Sequence, residues 1–581
     1  MAPPVGPIII QPRTTHAPMT SAELKTALRA LDPTRSSQIP AVTSFIDDAE
    51  HDIELYEGYI QQLRVRQAVL TREVAEYKSL KSPIRRLPSE ILRSIFFFTS
   101  KYKPNCFGVN SVWRLPALDM SAVCRRWRDI AIAYPSLWTN MLLDLDHSAR
   151  AVASVQLYLI HSQQQPLSFR VVGPFDGDDN AAREILISLL DQSHRWLSVD
   201  LDAEDIEELV TGRNLDVSAL RSAHLFEGSF LRLEAFSGTQ KLESLSTFAF
   251  PKFIPTGAQV NMNLRHLAVQ HTDSPSLRSL LTALPTLPKL ESLDYHGMSL
   301  SLYYSSFGEP ADYSVPIRPL APVTSHVSSV SLHLWDTYGV YPLLKDIFSS
   351  LLLPSLVELK IQGGCRIPFN EAGEQLRDKA FSGEWPRATV HDFITTSSCH
   401  LTTLVLSGMP ISDVDVIAML YITPDLVDFT LHELWAEVRP ECGSVGARPN
   451  TLNVGTVTKR MMEQLQNPAF DSDVFTEQRN ALVPKLRKLS LRVLYANWEA
   501  NEADEEFVKM VRSRWLRLLH RISENDSLLQ AAQLRTVELT VVGIFVPHEE
   551  VYKPLKRLER EGLMFTIRID RSGCGDGEYF V

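Results

Sequence analysis

Apolar residues recur along this chain with two different periods. Between residues 44 and 82 they fall alternately three and four apart. Ile53, Tyr56, Ile60, Leu63, Leu70, Val74 and Tyr77 share one phase, with polar Gln67 in the remaining position. A 3.5-residue period places all of them on one seam of a helix, bordered by Glu54, Glu57, Arg64, Arg66, Arg72, Glu73 and Lys78. Gly58 weakens that helix by ~1 kcal/mol relative to alanine but does not interrupt the seam. The seam either packs on its own chain or joins two copies as a homodimer, and the pattern leaves both open. Ser82-Pro83 ends the helix, because the residue before proline is driven out of the helical region.

Two shorter amphipathic helices follow. In the first, Pro88 suits an opening turn, and Leu87, Ile91, Leu92, Ile95 and Phe96 recur at helical spacing on one face. A loop containing Pro104, Asn105 and Gly108 leads to a second helix running from about Pro116 through Leu118, Val123, Trp127 and Ile130. It stops before Pro135-Ser136-Leu137-Trp138. Neither helix can bury its apolar face alone, which points to a partner.

From about residue 190 a different pattern takes over, with apolar residues at the first, fourth and sixth positions of a short segment. It reads Leu264/Leu267/Val269, Leu290/Leu293/Tyr295, Val327/Val330/Leu332 and Leu356/Leu359/Ile361. It continues through Leu401/Leu404/Leu406, Leu426/Phe429/Leu431, Leu486/Leu489/Leu491 and Leu534/Val537/Leu539. Weaker copies lie at Trp196–Leu201, Leu220–Leu225 and Leu242–Leu245. Helix-like stretches such as Ser276–Leu284, Val414–Tyr421 and Glu506–Ile522 fall between them. Strand plus helix at such intervals predicts an α/β fold, an irregular leucine-rich-repeat-like solenoid with a parallel sheet, over residues 143–581. A plain α/β domain with the same rhythm is the alternative. Intervals of 37, 45, 60 and 48 residues imply insertions at Pro310–Pro322, Gly363–Thr396 and Arg439–Asn480.

Strand alternation then assigns the outward side chains. They are His266, Ala268 and Gln270; Ser292, Asp294 and His296; Ser329, Ser331 and His333; Glu358, Lys360 and Gln362; Thr403, Val405 and Ser407; Asp428, Thr430 and His432. A face this polar is unlike a sheet covered by helices on both sides. It is expected to be open and to bind a target through His266, Gln270, Asp294, His296, His333, Glu358, Lys360, Asp428 and His432. Its four histidines would make that binding sensitive to pH.

Composition narrows the picture. The chain has 581 residues, 44% hydrophobic and 22% charged, with a net charge of −11. That excludes a wholly disordered chain and disfavours a general affinity for nucleic acid. Six scattered cysteines without a CxxC pair argue for free thiols in a reducing compartment, and against a disulfide framework or a cysteine-rich zinc site. No secretion signal or run of ~18 apolar residues is seen, so no membrane association is expected. Prolines at 3, 4, 7, 12 and 18 suggest a disordered tail over residues 1–43. Chemistry is scarce. Asp176-Gly-Asp178-Asp179-Asn180 reads as a solvated turn, not a calcium loop. The Gly573–Gly577 run has no helix after it to bind phosphate, and His391, Cys399 and His400 have no spacing that requires a metal. No cofactor, metal or catalytic residue is assigned.

LPSEILRSIF, VCRRWRDIA and YPSLW, in that order, resemble the F-box, over residues 83–142. A heptad helix joined to the box is similar to an arrangement common in fungal F-box proteins. Two departures stand out: a long insertion from Lys101 to Leu115, and Pro116 where an acidic residue often opens the second helix. The resemblance implies docking on a Skp-type adaptor, and through it a cullin, by Leu87, Pro88, Ile91, Leu92, Ile95, Val123, Trp127, Leu137 and Trp138. It implies a non-enzymatic substrate-recognition subunit of a cullin-type (SCF) ubiquitin ligase, in the cytoplasm and/or nucleus, with an unknown target protein on the repeats. A repeat scaffold or regulator that binds the adaptor without directing ubiquitination is the alternative.

Overall fold

The computed structural model describes residues 11–14, 16–29, 39–102, 104–173, 179–202, 215–225, 241–247, 263–271, 274–297, 322–335, 340–364, 384–433, 455–467, 481–500, 503–515, 532–543 and 549–570, with Leu209, Arg213 and Thr239. It divides into two compact units, Met1–Ile95 and Phe96–Val581.

In the first unit a short helix, Ser21–Arg29, precedes a single helix of 42 residues, Ile39–Leu80. The short helix opens on a reciprocal cap: the Thr20 amide donates to the Glu23 carboxylate at 2.9 Å, and the Glu23 amide donates to the Thr20 hydroxyl at 3.4 Å. The backbone amides of Arg13 and Thr14 each donate to the buried carboxylate of Asp52 at 3.0 Å, which holds its pKa below the usual carboxylate value. The expected disorder over residues 1–43 is therefore corrected for the described part: a cap and a carboxylate order it despite the prolines. The long helix starts at Ile39, not at 44, because Pro40 in its first turn forfeits no helical bond.

The second unit is built on a 16-stranded sheet. Its strands are β1 (Asn105–Phe107), β2 (Trp113–Arg114), β3 (Asn140–Asp144), β4 (Leu167–Val172), β5 (Trp196–Asp202), β6 (Ser222–Leu225), β7 (Ser244–Thr247), β8 (His266–His271), β9 (Ser292–Gly297), β11 (Ser329–Trp335), β13 (Glu358–Gly364), β14 (Thr403–Ser407), β15 (Asp428–His432), β16 (Lys488–Leu494), β17 (Thr536–Val542) and β18 (Met564–Asp570). From β3 to β18 each strand lies parallel beside the previous one in sequence. A separate parallel pair joins β10 (Val323–Thr324) to β12 (Leu351–Leu352). Leu267, Leu293, Val330, Leu359, Leu404, Phe429, Leu489 and Val537 stand in one register row, all buried. A second buried row runs Val269, Tyr295, Leu332, Ile361, Leu406, Leu431, Leu491 and Leu539. Helices Ser274–Ala283, Val340–Ser349, Arg387–Ser397, Asp413–Tyr421, Lys459–Leu465 and Ala503–Trp515 connect the strands.

The entry to each strand is tied in a recurrent way. The carbonyl of Arg221 accepts the amides of both Glu243 and Ser244, at 2.8 and 3.0 Å. The carbonyls of Glu243, Arg265, Glu291, Ser328, Val357, Thr402, Val427 and Arg487 do the same for the next strand in turn.

The segment read as a loop between the box helices forms β1 and β2, at one edge of the sheet. The boundary expected at 142/143 falls inside β3, so the second half of residues 83–142 shares a sheet with the strands that follow. Asn105 explains the join. Its buried amide donates to the carbonyls of Leu137 (3.1 Å) and Asn140 (2.9 Å), and its side-chain oxygen accepts from the Ala117 amide (3.3 Å) and the Tyr158 hydroxyl (2.9 Å). The second box helix is broken in two, Pro116–Val123 and Arg125–Ile132, by extended Cys124 (φ −163°, ψ 169°).

Asn105→Ala removes four hydrogen bonds, three of them buried, and is expected to destabilise the second unit by about 3 kcal/mol, read from the urea midpoint. Gly58 has no atom within 4 Å of an added Cβ, so Gly58→Ala is expected to stabilise the long helix by about 1 kcal/mol, read by circular dichroism on heating.

Candidate docking and target-binding surfaces

The helix Ser89–Tyr102 carries two apolar stripes. Leu92 and Phe96 are fully buried, one turn apart. Ile91, Ile95 and Phe98 lie on a neighbouring stripe at 48%, 40% and 55% exposure, with Phe97 at 41% beside them. Of the predicted docking residues, Pro88, Ile91, Ile95 and Val123 are exposed, and Leu87 and Trp127 are half-buried. Leu92, Leu137 and Trp138 are not available to a partner, which corrects their assignment. Leu137 is at 0% and Trp138 at 1% exposure. The Trp138 indole donates to the Ala131 carbonyl at 2.9 Å, and its ring lies 4.9 Å from Tyr158 and 4.7 Å from His161. PSLW is therefore core packing between the helices Arg125–Ile132 and Ser148–His161. The Trp127 ring lies 5.0 Å from Phe96, tilted by 59°, which explains its partial burial. Phe97, Phe98 and Ile132 were not singled out from sequence, although all are exposed. The Phe96-Phe97-Phe98 run was the available signal, since three successive aromatics cannot all face inward on one helix.

On the sheet, the alternation fixes which side each residue takes. The leucine rows are buried, His266 is exposed, and Gln270, Asp294, His296, His333, Glu358, Lys360, Asp428 and His432 are half-buried on the opposite face. Neighbouring strands bring them together. His266 Nδ1 lies 2.9 Å from Ser292 Oγ, and His333 Nε2 lies 2.9 Å from Ser331 Oγ. The His296 and His333 rings stack at 4.2 Å with 12° between their planes. Ser329 Oγ donates to Glu358 at 2.6 Å, and Lys360 reaches its other oxygen at 2.9 Å. Burial works against ionising Glu358, but Lys360 and Ser329 outweigh it and hold its pKa low. Lys488 pairs with Asp428 at 3.2 Å, and Gln270 lies opposite His296 in register. This face is a lattice of short polar bridges.

His432 departs from expectation. Burial, with the Arg492 charge next, lowers its pKa to about 4, so it is neutral at physiological pH and is not a pH sensor there. The next residue, Glu433, is buried. Its carboxylate accepts the amides of Thr456 and Val457 at 2.9 Å and of Leu494 at 3.0 Å, while burial raises its pKa. Its role is to tie three segments beyond the strand ends.

The remaining motifs find structural roles or fall outside the described residues. Asp179 caps helix Asn180–Leu190, accepting from the amides of Ala181 (2.8 Å) and Ala182 (3.1 Å). Residues 176–178 and 573–577 lie outside the described residues. His400 pairs with Asp425 at 2.8 Å. Among the described residues, no group of three His, Cys, Asp or Glu is placed to hold a metal ion, and no helix is long and apolar enough to cross a membrane. No protein-family model matches the chain, and no curated protein matches it.

Because the folded state depresses the pKa of His432 from 6.5 to about 4, the unfolded chain binds more protons between those values. Stability is therefore expected to fall as pH drops from 6.5 towards 4, with no further loss from this residue below 4. His432→Gln should remove that component, seen as a shallower dependence of the denaturation midpoint on pH.

Proposed function

We propose that this chain is the substrate-recognition subunit of a cullin-type ubiquitin ligase, docking on a Skp-type adaptor through its F-box-like segment. The observation that carries the reading is the exposed stripe around Ile91 and Phe98, on a helix whose neighbouring stripe is already buried. Residues that stay in water at this cost in apolar area are candidates for an interface. Val123, 60% exposed, belongs to the second block of the same resemblance. The sequence match and the exposure pattern are independent supports, since buried Leu137 and Trp138 match the motif equally well.

In this reading the polar face of the sheet, with His266, Gln270, Asp294 and the Glu358–Lys360 pair, holds the target protein. The repeats supply position and orientation for ubiquitin transfer, and this chain supplies no reacting group.

Ile91→Glu with Phe98→Glu is expected to weaken co-purification with a Skp-type adaptor at least about thirtyfold, since truncating interface anchors costs ~2 kcal/mol or more each. Both side chains are exposed, so the sheet should keep its thermal transition. Undiminished binding by this variant would remove the docking assignment.

A further inference from the structure

The long helix Ile39–Leu80 leaves its C-terminal half bare: no residue from Ile60 to Leu80 is buried. Ile60, Leu63, Leu70, Val74 and Tyr77 are 48–72% exposed along one seam. Helices gain most of their stability from packing, and this stretch includes Ile60, Val65, Val69, Thr71 and Val74, whose branched side chains favour helix only weakly. In the N-terminal half, one flank of the seam is already taken at Asp52 by the amides of Arg13 and Thr14. Ile53 and Tyr56 upstream are also exposed, at 55% and 38%, but the part of the seam clear of that tie spans residues 57–80, and from 60 to 77 it is about 27 Å long.

We infer that a second copy of this chain covers the seam, the two helices running antiparallel as a coiled coil. The register places Ile60 opposite Tyr77 of the other copy, Leu63 opposite Val74, and Gln67 opposite Leu70. Ile60 and Val74 alternating with Leu63 and Leu70 suit two strands, and charge sets the direction. In this register Glu57 flanks Lys78 and Arg66 flanks Glu73 of the other copy, each twice by symmetry, while Tyr59 meets Leu80. A parallel, in-register pair keeps only the Glu73–Lys78 contact. It also lays the acidic stretch Asp47, Asp48, Glu50, Glu54 and Glu57 beside its own copy, where like charges repel. The two Gln67 side chains come within a turn of each other in an otherwise apolar seam, a polar pair that penalises other registers.

This inference stands apart from the adaptor reading. The full chain is expected to sediment as a dimer at micromolar concentration. Leu63→Glu with Leu70→Glu should raise the dissociation constant at least about a hundredfold, because each charge would enter an apolar seam. Unchanged thermal unfolding of that variant would show that the fold survives. Direction is read by mixing an Ile60→Cys chain with a Tyr77→Cys chain under mild oxidation, with the unaltered chain as control for native thiols. A mixed disulfide linking positions 60 and 77 supports the antiparallel pair. A monomeric full chain, a dimer indifferent to the glutamates, or Ile60→Cys chains that cross-link only to each other would overturn it.

Discussion

The carbonyl at each strand entry constrains everything that follows it. By accepting two successive amides from the next strand, carbonyls such as Arg265 and Val357 leave that strand one register. A slip of one residue would turn every leucine outward and every histidine inward. With the register held, Leu267, Leu293 and Val330 stack in one buried row, and His266, Ser292 and Ser329 form the matching polar row. The polar face is thus a by-product of a backbone constraint.

The same economy extends to the edge of the sheet. Asn105 reaches two carbonyls, one amide and one hydroxyl, and so joins the PSLW turn, the Pro116 helix and the first strands. The insertion from Lys101 to Leu115, which looks like a departure when the box is read as an isolated motif, supplies the edge strands of the sheet. Leu137 and Trp138 answer to this packing, while the stripe around Ile91 and Phe98 stays exposed.

Much of this was legible in the chain. The inward positions of the repeats, the 3.5-residue seam and the helices near 276, 414 and 506 all follow from spacing, because side-chain direction along a strand or helix is fixed by backbone geometry. The site was less legible. An amphipathic helix reports that one face avoids water, but not whether its own chain or a partner covers it. Leu92 and Ile91 are adjacent and equally apolar, yet one is at 0% and the other at 48% exposure. The tie of Arg13 and Thr14 was equally hidden, since it depends on Asp52, 38 residues beyond Thr14.

By itself, then, the sequence determined the strand register, the polar face and the existence of an apolar helical seam, since each depends on periodicity within a few residues. Only the tertiary structure decided that Cys124 breaks the second box helix, that residues 105–114 join the sheet, and that His432 titrates near pH 4. Those outcomes rest on residues far apart in the chain: Asn105 bonded to Tyr158, and His432 buried by the fold and then placed near the Arg492 charge. Local spacing carries no information about such distances, because burial and electrostatic environment are properties of what the fold brings near.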